Sequence, residues 1–305
     1  MRIIFMGTPE FAVESLKVLV ENHCNIVAVI TAPDKPVGRG QKTGTSAVKN
    51  YALSVNIPVL QPEKLKSPEF LEELKSYQAD LQIVVAFRML PEVVWNMPAL
   101  GTFNLHASLL PQYRGAAPIN WAIINGEKET GITTFFLKHE IDTGSIIFQE
   151  KEPISTTDNV SDLYERLMKK GADLVLKTVH AIEEGNYPQI AQQEDVEIKH
   201  APKIFKETCE INWQLPSEQI YNFIRGLAPY PAAWTTLAGK NCKVFKTAII
   251  RDFSPEKPGN IFSDNKKYLY FRTGDGFLSI EELQLEGKKR MLIDEFLRGF
   301  TLSDL

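Results

Sequence analysis

The sequence predicts an α/β fold with a mainly parallel sheet, followed by a smaller, mostly β domain. Residues 1–189 alternate short apolar runs with helical patterns, the mark of strands joined by crossover helices. From Pro188 to Lys206 the pattern dissolves, and Ala191-Gln192-Gln193-Glu194-Asp195-Val196-Glu197 is polar, acidic and aperiodic, as linkers are. Short strand-like runs with regular turn signals then take over. A chain of 305 residues has room for roughly two domains of about 150. The expected division is a first domain over 1–189, a linker over 190–208 and a second domain over 209–305.

Taken in order, the expected strands of the first domain are Arg2 to Met6, Ile26 to Thr31, Leu81 to Phe87 and Gly101 to His106. Gly131 to Leu137 and Ser145 to Glu150 flank a polar turn and read as a hairpin-like pair. The expected helices are Pro9 to Asn22, Ser46 to Val55, Pro68 to Tyr77, Pro118 to Asn125 and a long one from Ser161 to Gly185. In the last, Leu163, Leu167, Val175 and Ile182 recur at helical spacing and Gly185 ends the run. In the second domain a helix over Ser217 to Leu227 precedes the corner Pro229-Tyr230-Pro231. Strand-like runs follow at Ala233 to Leu237, Cys242 to Ile250, Tyr268 to Arg272 and Phe277 to Leu285, compatible with a barrel.

Composition narrows the function. Thirty-four basic against 38 acidic residues give a net charge of -4, which excludes a generally basic nucleic-acid coat but leaves room for a local patch. Apolar runs of five residues, such as Ile26 to Ile30, fall far short of the roughly 18 that span a bilayer. Strand-like Arg2-Ile3-Ile4-Phe5 directly after Met1 leaves no signal-peptide pattern, so a cytoplasmic location is expected. Cys24, Cys209 and Cys242 lie far apart and read as free thiols, with neither disulfide nor zinc spacing, and no metal is expected.

Three features suggest chemistry. Gly7-Thr8-Pro9 follows the first strand but lacks both the G-x-G-x-x-G and the Walker A pattern, so it reads as a tight strand-to-helix turn that shapes a pocket. Asn104-Leu105-His106 ends a predicted strand. Residues two apart face the same side, so the amide and the imidazole can point to one spot where open α/β sheets bind ligands. By itself a lone strand histidine is more often structural. Asp142, in Glu140-Ile141-Asp142-Thr143-Gly144, sits in a turn where Asp often serves only as an Asx residue.

Set together, several segments resemble the methionyl-tRNA formyltransferase family. They are Gly7-Thr8-Pro9-Glu10-Phe11, Pro33-Asp34-Lys35-Pro36 with Gly38-Arg39-Gly40, Asn104-x-His106-x-Ser108-Leu109-Leu110-Pro111, Tyr113-Arg114-Gly115-Ala116-Ala117-Pro118-Ile119 and Asp142-x-Gly144. Ala201-Pro202-Lys203, Ile224-Arg225-Gly226-Leu227-x-Pro229 and Glu286 to Met291 continue the match through the second domain. The resemblance implies a Rossmann-like formyltransferase domain followed by an OB-like β-barrel domain. It also implies formyl transfer from 10-formyltetrahydrofolate to the amino group of methionine esterified to initiator tRNA. Asn104, His106 and Asp142 stand at the positions of the family's catalytic trio, and Ser108, Leu109, Leu110 and Pro111 match its folate-binding loop. Phe87, Met89 and Leu90 fall at its pocket wall, where Phe87-Arg88-Met89-Leu90-Pro91 departs from the family's Tyr-Gly and longer apolar run. Ser46-Ala47-Val48-Lys49 replaces the usual Ser-Pro-Val-Lys.

These residue types suit the reaction. Formyl transfer passes through a tetrahedral intermediate with negative charge on the formyl oxygen. An Asn104 amide and a His106 N–H could each stabilise it by about 2.7–4 kcal/mol. Asp142 can orient His106, favour its charged form and help move the amine's proton. No cysteine falls at a motif position and Ser108 lacks a dedicated base, so direct transfer is expected over a formyl-enzyme.

Initiator tRNA needs positive charge. Lys35, Arg39, Lys42 and Lys49 in the loop from Asp34 to Lys49 are the expected contacts, Arg39 foremost because a guanidinium can clamp phosphate. Lys288, Lys289 and Arg290 either meet phosphate or solvate a turn. Residues 209–305 carry 13 basic and 12 acidic residues against 21 and 26 in 1–208, so the second domain is the less acidic part. The expected protein is a monomer. Two other readings stay open: a formyltransferase for a small amine, which would share the N-x-H and D-x-G features, and a non-catalytic module binding nucleic acid through Trp213, Tyr230, Trp234, Tyr268, Tyr270 and Phe271.

Overall fold

A computed structural model describes residues 1–37, 42–193, 197–251 and 255–300, with the backbone alone for Val37, Lys42 and Thr43. The described residues form two compact units. One takes 1–115, 131–152 and 164–200; the other takes 116–130, 153–163 and the chain from 201 onward.

The first unit contains strands β1 (Arg2–Gly7), β2 (Asn25–Ile30), β3 (Lys35–Val37), β4 (Lys42–Gly44), β5 (Val59–Leu60), β6 (Leu81–Val85), β7 (Thr102–His106) and the two-residue β8 (Arg114–Gly115). Strand β9 (Glu129–Phe136) enters it from residue 131, and β10 (Ile146–Pro153) leaves it at 152. Its helices are α1 (Glu10–Glu21), α2 (Ala47–Ser54), α3 (Pro68–Ser76) and α4 (Glu92–Trp95). One seven-stranded sheet runs β10-β9-β7-β6-β1-β2-β5. Pairs β1/β2, β1/β6, β2/β5 and β6/β7 are parallel, and β7/β9 is antiparallel. The chain winds outward from β1 to β5 and then restarts on the other side of β1 at β6. That reversal is the topological switch point, whose carboxyl edge is the ligand-binding edge of such sheets.

Local chemistry explains the boundaries. Ser46 and Ser67 cap α2 and α3 by accepting from the N–H of Lys49 and Phe70. Strand β6 stops at Val85, short of the expected Phe87, because Ala86 turns into the left-handed region at φ 47°. Gly7 is where the chain leaves β1: a Cβ there would stand 2.6 Å from Ala12 Cβ, which bears out a tight turn and the need for glycine. Ile4 and Met6 on β1 and Val84 on β6 pack with Phe70, Leu74, Leu90 and Val94 in one buried cluster. Strands β3 and β4 form an antiparallel ribbon in the stretch expected as a loop. Gly38, Arg39, Gly40 and Gln41, and with them the Arg39 expectation, lie outside the described residues.

The second unit includes α5 (Pro118–Ile124). Helix α6 (Val160–Glu183) begins in it and lies in the first unit from Tyr164, where Leu163 just ahead and Leu167, Val175 and Ile182 beyond are all buried as their spacing requires. After β11 (His200–Ala201) come α7 (Ser217–Leu227), β12 (Ala233–Leu237), β13 (Lys240–Ile250), β14 (Ile261–Ser263), β15 (Leu269–Arg272), β16 (Phe277–Leu285), β17 (Met291–Leu292) and α8 (Ile293–Leu297). The sheet runs β12-β13-β16-β15-β14 with β17 also on β16, antiparallel throughout, as expected of an OB-like domain. Helix α7 packs on α5 at Gly226, where a Cβ would lie 2.6 Å from Ile124 Cγ1, and Asn120 donates to the Gly226 carbonyl at 2.9 Å. Arg225 is buried and donates to the carbonyls of Asp158 (2.8 Å) and Ser155 (3.2 Å), so the Ile-Arg-Gly-Leu segment holds this unit together. Trp213 stacks on Phe271 inside the core, Tyr268 stacks on Tyr270, Trp234 donates to the Lys206 carbonyl, and Tyr230 is exposed. The three cysteines are free.

Candidate active site

Strand β7 delivers Asn104 and His106 to the carboxyl edge of the sheet, beside the switch point. His106 is the strand's last residue and is buried at 6% exposure. Its ring meets Phe135 edge-on. The next residues turn through a shelf that β9 and β10 support. Ser108 Oγ donates to the Gln112 carbonyl at 2.6 Å, Thr133 Oγ1 donates to the Ser108 carbonyl at 2.6 Å, and Gln149 Nε2 donates to the Leu110 carbonyl at 2.9 Å. Leu109 lies against Gly131, which has no room for a side chain, and Leu110 is buried with Phe135 and Ile146.

Three consecutive residues then hold the two titratable groups. Tyr113 takes φ 60°, and its carbonyl accepts from His106 Nε2 at 2.9 Å. A carbonyl only accepts, so Nε2 carries a proton and Nδ1 is the ring atom left for chemistry. The backbone N–H of Gly115 donates to Asp142 Oδ2 at 3.0 Å. That same oxygen stands 4.0 Å from His106 Nδ1, with both side chains largely buried. Arg114, between them, turns its guanidinium onto Gln192 Oε1 at 2.6 and 3.1 Å.

Asp142 occupies a left-handed turn, φ 55°, that is pinned from behind. Gln192 Nε2 donates to the carbonyls of Asp142 (2.8 Å) and Gly144 (2.9 Å). Gly144 is obligatory, since a Cβ would fall 1.5 Å from the Phe136 carbonyl oxygen. The structure therefore brings His106 and Asp142 together, with half-buried Asn104 two residues back on the same side of β7. Among the described residues the Asn104 side-chain amide has no protein hydrogen-bond partner, which suits a donor reserved for a ligand.

The other expected site residues divide. Ser108 and Leu110 point their side chains into the shelf. Phe87 and Leu90 pack on the cluster under β1, while Met89 is 73% exposed. Arg88 donates to the carbonyls of Glu63 and Pro62 and lies over the Phe87 ring, so the departing residue braces the pocket wall; burial pushes its guanidinium down from its ordinary value. Lys35 is exposed, and for Lys42 only the backbone is described. Lys49 is paired with Asp34 at 2.5 Å. Lys288 and Lys289 are exposed, whereas Arg290 forks onto Glu282 at 2.6 and 2.7 Å and covers Phe245. Gln192 is the residue that sequence reasoning missed. It sits in the acidic stretch read as a linker, and nothing periodic marks a side chain whose partners are 50 and 78 residues away.

Comparison with known proteins bears on the family and the fold. The formyl transferase family model matches residues 1–179, and the model of the formyl transferase C-terminal domain matches 203–301. A methionyl-tRNA formyltransferase of Bacteroides thetaiotaomicron is 58% identical, covering 100% of this chain and 97% of its own length. One from Flavobacterium johnsoniae is 52% identical, covering 100% and 98%. Among solved structures, the sugar 3N-formyl transferase WlaRD, determined with dTDP and 5-N-formyl-THF, superposes with a TM-score of 0.67 at 24% identity, covering 95% of this chain and 99% of that one. HypX of Aquifex aeolicus in complex with tetrahydrofolic acid superposes with a TM-score of 0.66 at 20% identity, covering 98% and 48%. The two structures share the fold.

Proposed function

Because the chain belongs to the methionyl-tRNA formyltransferase family, we propose that Asn104, His106 and Asp142 perform its formyl transfer from 10-formyltetrahydrofolate to the amino group of initiator methionyl-tRNA. The observation that supports this assignment is the placement of His106 between the Tyr113 carbonyl and the Asp142 carboxylate at the carboxyl edge of the sheet. The amine adds to the formyl carbon to give a tetrahedral intermediate, which collapses by breaking that carbon's bond to the folate nitrogen. The Asn104 amide and a His106 Nδ1–H are the donors for the oxygen that becomes charged. With Nε2–H committed to Tyr113 and Nδ1–H given to the oxyanion, Asp142 is the group able to take the amine's proton and return one to the departing nitrogen.

The co-substrate fits the edge of the sheet. A backbone shelf over Ser108 to Pro111 follows β7, and half-buried Phe87 and exposed Met89 supply apolar side chains after β6, the neighbouring strand. Residues 1–189 supply this chemistry, and Lys35, Arg39, Lys42, Lys288 and Lys289 supply charge for tRNA, with Lys49 and Arg290 contributing less because Asp34 and Glu282 already neutralise them. The enzyme acts as a cytoplasmic monomer; no helix among the described residues is long and apolar enough to cross a membrane.

Incubation with charged initiator tRNA and 10-formyltetrahydrofolate should give formylmethionyl-tRNA. Absence of that product sinks the reading. Formylation of an amino-sugar nucleotide in its place would establish the small-amine alternative, which the resemblance of the fold to WlaRD makes the natural control.

A further inference from the structure

The described residues between α6 and β11 are tied down by hydrogen bonds. Ile190 bridges Ile146 at the edge of β10, Gln112 Nε2 donates to the Glu197 carbonyl at 3.0 Å, the Lys199 N–H donates to Gln112 Oε1 at 2.9 Å, and the Tyr113 N–H donates to the Lys199 carbonyl at 2.6 Å. Gln192 lies within this stitched segment, only 9% exposed, and its amide is fully used: two donated bonds to the Asp142 and Gly144 carbonyls, two accepted from Arg114. We propose that Gln192 is a positioning residue for catalysis, which ties the Arg114 loop to the Asp142 turn and so holds the Asp142 carboxylate against His106 Nδ1. The inference rests on the catalytic reading of Asp142.

Only a primary amide satisfies this place. Glutamate would keep Arg114 but set a carboxylate oxygen against two carbonyls; methionine would fill the volume and leave both carbonyls unpaired. The Asp142 turn needs the tie because its backbone is left-handed at a non-glycine residue, a conformation that persists only where neighbours over-determine it. The Gly115 N–H grips the carboxylate from the front and Gln192 grips the backbone from behind. Both grips come from the same three-residue stretch, since Arg114 orients Gln192.

The test is a double-variant cycle in the full chain, assayed as formylation of initiator tRNA. Gln192→Met should lower kcat by about 10- to 100-fold, the scale of a small misplacement of a reacting group, with KM for both substrates little changed. On an Asp142→Asn background the same substitution should add almost nothing, because the group it positions is already gone. Gln192→Glu, which keeps the shape and the Arg114 partner, should lose kcat alike. Wild-type kcat in either Gln192 variant overturns the inference, and so does an undiminished further loss on the Asp142→Asn background, the signature of general structural damage. Wild-type turnover of Asp142→Asn by itself overturns the catalytic reading of Asp142, a separate failure.

Discussion

His106 Nδ1 stands 4.0 Å from Asp142 Oδ2, too far for a direct hydrogen bond and close enough for the carboxylate to face the ring atom left free by Tyr113. Each is held by a different atom of one short loop: the Tyr113 carbonyl holds the ring and the Gly115 N–H holds the carboxylate. His106→Ala and Asp142→Ala should each lower kcat by about 10²–10⁴-fold, the span of a general acid–base group, while the circular dichroism spectrum shows the fold retained. Wild-type-like turnover in either variant removes that residue from the mechanism.

Asn104 makes no side-chain hydrogen bond to the protein among the described residues, so removing its amide should spare the fold. Asn104→Ala should lower kcat by about 10²–10³-fold, equivalent to about 2.7–4 kcal/mol of oxyanion stabilisation. A thermal melt beside steady-state kinetics separates the two effects; a change confined to KM would reassign Asn104 to simple substrate binding.

Gly144→Ala should cost both stability and turnover. Its Cβ would collide with the Phe136 carbonyl oxygen at 1.5 Å, and backbone cannot give way as a flexible side-chain end can. About 2 kcal/mol or more of destabilisation is expected, with loss of kcat as the Asp142 turn shifts. Denaturant unfolding and a formylation assay on the same preparation check it.

Glu152 links β10 to α6 through Arg166 at 2.6 Å and Lys170 at 2.7 Å. Burial pushes its carboxyl up, but the hydrogen bonds from Lys170 and Arg166 outweigh that and hold it below its ordinary value. A carboxyl lowered in the folded state contributes stability above its unfolded pKa and forfeits it as pH falls through the folded pKa. Glu152→Gln should therefore lose about 1–3 kcal/mol at neutral pH and flatten the fall of stability on acidification. Urea unfolding followed from pH 7 into the acid range measures both, and an unaltered pH dependence would contradict the assignment.

For tRNA, affinity should fall steeply as salt rises. Replacing Lys288 and Lys289 with alanine should reduce the slope of log Kd against log salt by about 0.9 for each phosphate that the variant leaves without its lysine. Lys49→Ala and Arg290→Ala should change it less, since Asp34 and Glu282 already occupy those cations. A slope that stays flat in the wild type contradicts the electrostatic picture.

The sequence by itself determined the class of fold and the pairing of Asn104 with His106 at one strand end. Period-two apolar runs and helical repeats are local signals, so β1, β2, β7, β16 and α7 fall at or within about one residue of their expected bounds. The two-residue step from Asn104 to His106 likewise places both on one side of a strand without any knowledge of what packs nearby. Strands of two or three residues, such as β5, β8 and β14, carry no period and went unseen.

The tertiary structure alone decided which polar groups are committed. It turned Ser108 and Leu110 inward, spent Lys49 on Asp34 and Arg290 on Glu282, and converted an apparent linker into the support of the Asp142 turn. The physical reason is separation along the chain. A hydrogen bond between Arg114 and Gln192 spans 78 residues, and no spacing rule connects them until the sheet brings β7 and β9 side by side and the chain returns along the edge of β10.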